Sequence, residues 1–178
     1  MNVQTPIATW VLARLYEEQH PIPRKDLLKH LCQKSFDMMT NDSDFATTMD
    51  ELIESECIKL TEETFQDFVP IRETNPLVIA MNTQPKLKEI TVTRKGYVIE
   101  DNGIIAFRRQ IATPLEKIKD KVDKGAVFPN TYKTKFEEIV NTLKTSSDVI
   151  HTAIRFCVDD APHVLEFIKM VLPLLGIQ

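Results

Sequence analysis

Residues 88–96 read Lys-Glu-Ile-Thr-Val-Thr-Arg-Lys-Gly. Ile90 and Val92 alternate with Thr91 and Thr93, which is the period-two pattern of a strand with one apolar and one polar face. The run is rich in β-branched residues, which fit a pleated backbone. Arg94-Lys95-Gly96 offers a reversal, because glycine adopts backbone angles other residues avoid. The pattern predicts a strand over 88–93, a turn at 94–96, and a second strand or a helix start over Tyr97–Ile99.

Upstream of this run the spacing is helical. Thr5-Pro6 opens a helix over about 6–19, with threonine as the cap and proline at the first helical position. Ile7, Trp10, Val11 and Leu15 form its apolar stripe, which makes Trp10 a core residue. His20-Pro21-Ile22-Pro23 stops it. Leu27, Leu28 and Leu31 mark a second helix over about 24–35. After the polar Thr40–Ser43 stretch, Phe45, Met49, Leu52 and Ile53 mark a third over about 43–56. Cys57–Leu60 reads as a short strand. Residues 61–88 hold Phe65, Phe68, Val69 and Ile71 without a steady period, and Leu77–Met81 reads as a strand or a short buried segment.

Downstream of Ile99, helices dominate. Ile104, Phe107 and Ile111 recur at helical spacing, and Thr113-Pro114-Leu115-Glu116 has the form of a capping box. Leu115, Ile118 and Val122 continue that stripe to Gly125. Further helices are expected near 131–144, 147–157 and 161–175. The last is apolar around much of its circumference, so it needs cover, from this chain or from a second copy.

Three helices followed by strands around a turn resemble a winged helix-turn-helix domain, and Ile90–Gly96 is similar to the "LT-x-x-G" end of a wing. The resemblance spans residues 5–100. It implies a mainly α fold with a small β-wing, in which residues 1–100 form the winged-helix-like domain and 101–178 a helical extension suited to dimerisation. It implies double-stranded DNA as the partner and transcription regulation as the role. The third helix would be the recognition helix, with Arg94 and Lys95 beside the wing.

The 178 residues carry 22 basic and 26 acidic groups, a formal charge of -4. That total excludes a uniformly basic domain but not a local basic patch. Residues 36–75 hold two basic groups against eleven acidic ones, and Asp44, Asp50, Glu51, Glu54 and Glu56 fall in or beside the third helix. Ser43, Thr47 and Thr48 are its polar candidates for nucleic-acid contact. Arg24, Lys25 and Lys29 of the second helix, with Arg94 and Lys95, are the basic candidates. DNA-linked regulation is the first reading, and the alternative is an adaptor of the same fold whose acidic third helix binds a basic protein partner instead of DNA.

Catalytic signatures are missing. Four glycines leave no Gly-rich nucleotide loop, and no nucleophile motif is present. His30 and Cys32 lie two apart, and His151, Cys157 and His163 six apart, neither of which is a familiar metal spacing. No catalytic residue, metal or cofactor is expected. Three cysteines without a CxxC suggest a reducing, cytoplasmic setting. No apolar run is long enough to span a membrane.

Overall fold

The computed structural model describes residues 5–18, 20–33, 42–71, 86–128 and 135–177. Three helices open it: α1 (Pro6–Glu17), α2 (Arg24–Gln33) and α3 (Asp42–Glu54). Thr5 caps α1 as the sequence predicts, its hydroxyl accepting from the Ala8 amide at 3.2 Å. Phe45, Met49 and Leu52 bury one face of α3. Its end is a Schellman-type cap: the Cys57 amide donates to Leu52 O and the Glu56 amide to Ile53 O, both at 2.9 Å. Glu56 holds the left-handed position at φ 55°, where glycine is the usual occupant.

Two long strands follow, β1 (Ile58–Pro70) and β2 (Leu87–Ile99), each 13 residues and paired antiparallel from Ile58↔Ile99 to Pro70↔Leu87. At about 3.3 Å per residue the ribbon is about 40 Å long. This corrects the sequence reading in two places. The strand at Cys57–Leu60 does not stop but runs on to Pro70, and Arg94-Lys95-Gly96 lies inside β2 rather than at a turn. Gly96 serves a close approach instead: a Cβ there would lie 2.4 Å from the Ile22 carbonyl carbon. Ile22 and Tyr97 exchange backbone hydrogen bonds of 3.0 and 2.8 Å, which ties the α1–α2 connection to the ribbon. The Leu77–Met81 segment lies outside the described residues.

The helical second half begins with α4 (Asp101–Phe107), which passes through a π-helical segment, Arg108–Ala112, into α5 (Thr113–Asp123). Thr113 is therefore not a cap: its backbone is helical and its amide donates to Arg108 O. Pro114 lacks an N–H and would break a regular helix, and the widened π turn takes up that defect. Next come α6 (Lys135–Thr145) and α7 (Val149–Leu174). Asp148 caps α7 by accepting from the Ile150 and His151 amides. The two C-terminal helices expected from the sequence are the halves of α7, which leaves helical geometry at Asp160.

Pro162 explains that kink and a long-range contact. Its nitrogen has no hydrogen for Val158 O, four residues earlier. The Trp10 indole N–H fills the vacancy, donating to Val158 O at 3.1 Å. Trp10 is thus a core residue, 1% exposed, with its polar atom satisfied. Around it α1 packs along α7, and α7 also meets α5, α6 and the π segment. Val164, Leu165, Phe167, Ile168 and Val171 of α7 are all buried in one cluster with residues of α1, α3 and α5. The apolar helix finds its cover within its own chain. The result is a mainly helical protein with a two-stranded wing after three helices and further helices behind it.

Candidate interaction surfaces

The outward side of α3 carries Ser43, Asp44, Thr47, Asp50, Glu51 and Glu54, all exposed, with Ile53 at its margin. Four of these are carboxylates, and α3 contains no Lys, Arg or His. Thr47 turns its hydroxyl back to Ser43 O at 2.9 Å. Thr48 faces the core at 7% exposure, away from this surface. The negative helix C-terminus adds to the charge of Glu54.

Arg24, Lys25 and Lys29 are exposed on α2. Arg24 sits over the Phe45 ring, 5.9 Å from its centroid, at the contact of α2 with α3. The ribbon holds the other basic candidates on opposite faces. Arg94 lies over the Phe65 ring at 5.4 Å, while the His20 ring stacks on Phe65 with centroids 3.7 Å apart and planes within 5°. His20 Nδ1 also lies 3.4 Å from Glu63 Oε2. Lys95 is exposed on the other face, directly across from Glu62, as Arg94 is from Glu63. The structure therefore brings Arg94 to the α1–α2 connection and sets acidic partners opposite both wing cations.

Beyond Phe65 the ribbon has little cover. Phe68 is 60% exposed, Leu87 57% and Ile71 48%. Thr64 and Thr93 bond across the strands at 2.9 Å, and Thr91 donates to Gln66 at 3.2 Å. Sequence periodicity missed this element because both faces meet solvent. Alternation arises only where one face is buried. The available signal was composition, the aromatic and β-branched residues from Thr61 to Ile71.

A polar cleft of about 370 Å³ opens between α6 and α7, lined in part by Lys135, His151, Arg155 and Asp159. Asp160 is ion-paired there to Lys135, and its other carboxylate oxygen lies 2.8 Å from His163 Nδ1. Cys157 is fully buried, and burial pushes its thiol far above the usual range, which makes it a poor nucleophile. His151 and His163 are exposed while Cys157 is not, so that evenly spaced trio does not converge. Among the described residues no group of three or more His, Cys, Asp and Glu is placed to hold a metal ion. No described helix is long and apolar enough to cross a membrane.

The arrangement of helices and hairpin is compatible with a winged-helix-like layout. No family model, no curated protein and no solved structure matches the chain.

Proposed function

We propose that the protein is a non-catalytic interaction module that uses a winged-helix-like scaffold to bind another protein. The acidic face of α3 is its contact surface for a basic partner. The observation that carries this reading is the charge of that face: Asp44, Asp50, Glu51 and Glu54 without a single base in the helix. A helix entering the major groove passes between two rows of phosphates and needs donors for base edges. This helix offers carboxylates, which phosphates repel.

One observation favours a second reading, DNA-linked regulation. Arg24 and Arg94 are both held by aromatic rings, on α2 and on the ribbon, and the α1–α2 connection touches both elements. Arg24, Lys25, Lys29, Arg94 and Lys95 would then hold the DNA backbone, with Ser43 and Thr47 at the start of α3 nearby.

Fluorescence anisotropy separates the two. A mixed-sequence duplex is titrated at low salt and at about 150 mM salt, where phosphate contacts weaken steeply. The protein-docking reading expects no saturable duplex binding in either buffer. It also expects a lysine-rich peptide to bind, and to bind more weakly to D50N/E54Q. Duplex binding that falls with salt and is lost in R24A/K25A transfers the assignment to the second reading.

A further inference from the structure

Among the described residues nothing pairs with the outer edge of β2 along most of its length. The exception among them is Ile22, which pairs with it at Tyr97. The Ile22 bonds also fix which way β2 points its backbone. Tyr97 gives its N–H and C=O to Ile22 and therefore turns them away from β1. In an antiparallel ladder that direction alternates with every residue. Glu89, Thr91, Thr93 and Lys95 thus present outward-facing donors and acceptors, while the even-numbered residues bond to β1.

We infer that this edge pairs with the same edge of a second copy of the chain, antiparallel about Val92, to give a four-stranded sheet β1-β2-β2-β1. Charge selects both the occupant and the register. Centring on Val92 sets Glu89 opposite Lys95 of the other copy, twice by symmetry, and Thr91 opposite Thr93. All these residues share one face of the ribbon and carry the outward backbone groups, so the hydrogen-bonded pairs are the complementary pairs. Neighbouring registers fail. Centring on Thr91 opposes Lys88 and Arg94, and centring on Ile90 opposes Lys86 and Arg94. Glu89 or Arg94 as the centre meets itself. Thr93 as the centre pairs no opposite charges within β2, whereas the Val92 register completes its ladder between Glu89 and Lys95, short of Tyr97, which Ile22 occupies. Shifts to half-residue centres set outward against inward backbone groups and lose the ladder.

A two-fold pairing closes on itself, which is the usual form of a homodimer interface. The acidic edge of β1 against the basic edge of β2 would instead add copies without end. Pairing through β2 also converts a two-stranded ribbon, marginal alone, into a four-stranded sheet. It places Val92 beside its symmetry mate and doubles the apolar strip of Phe65, Val69, Ile90 and Val92. This interface lies on the wing, away from the C-terminal helices, whose apolar faces the chain's own core already uses.

Sedimentation equilibrium of the full chain across a concentration series tests the pairing, with amide hydrogen exchange on the same samples. The wild type is expected to dimerise, and the amides of Thr91 and Thr93 are expected to gain protection as the dimer forms. E89K and K95E each put like charges across the interface and are expected to weaken the dimer several-fold to about tenfold. The double swap E89K/K95E restores both pairs and is expected to recover the wild-type constant. A monomer at every concentration overturns the inference. So does a dimer whose constant ignores the single swaps, or one in which Thr91 and Thr93 exchange as fast as in the monomer.

Discussion

The helical body and the ribbon solve opposite problems with similar residues. Phe167 in α7 is fully buried and stacks on Phe136 at 5.6 Å, whereas Phe68 in β1 is 60% exposed. In the body, apolar residues recur at helical spacing and meet across α1, α5, α6 and α7. In the ribbon, apolar residues fall on both faces, and only the root is covered. The body is held by its own contacts. The ribbon keeps its shape through cross-strand pairs and the anchor at Ile22 and His20, and leaves surface available for others. Packed core and solvated ribbon are thus separate parts of one short chain.

The sharpest test of that division is a pair of phenylalanines. F167A is expected to cost about 3–5 kcal/mol in urea unfolding, the range for a large side chain deleted from a packed core. F68A is expected to change stability by no more than about 0.5 kcal/mol, as surface substitutions do. Equal losses would show that the ribbon is a structural part of the core.

The junction comes next. G96A forces a Cβ against the Ile22 backbone and is expected to cost about 1–3 kcal/mol, the scale of overpacking. It should also raise exchange at the Ile22 and Tyr97 amides ahead of those in α1. Uniform destabilisation would mean that body and ribbon open together.

Within the body, W10F removes the donor to Val158 O and is expected to cost about 1–3 kcal/mol, because Pro162 supplies no replacement. A smaller loss in a P162A background, measured as a double-mutant cycle, would tie the tryptophan to the proline. At the end of α3, E56G removes a left-handed non-glycine residue and a carboxylate from a helix C-terminus. A gain of about 1 kcal/mol is expected in thermal or urea unfolding.

The same contrast governs what the sequence disclosed. Helices with one buried face were legible: the Thr5 cap, the Trp10 stripe and the break at Asp160 all appear where the spacing puts them. The Thr113-Pro114 box misled because a local cap signal and a π turn look alike in sequence, and only the packing of α4 and α5 against the core decides between them. The ribbon was legible only at its root and in part of β2. Beyond Leu60 neither face of β1 is buried, so no period forms, and Gly96 suggested a turn although it marks a crossing by Ile22. The acidic surface of α3 was visible as composition. Its concentration on the exposed side required the position of Phe45, Met49 and Leu52 in the core.

The central claim is that these carboxylates make α3 a protein-facing helix and keep DNA from it. D50K/E51K/E54K changes only exposed residues and reverses the charge of that face. Duplex anisotropy at low salt and at about 150 mM compares this variant with the wild type. The account predicts no saturable binding by the wild type and salt-sensitive binding by the variant. Equal, salt-sensitive binding by both proteins would contradict it.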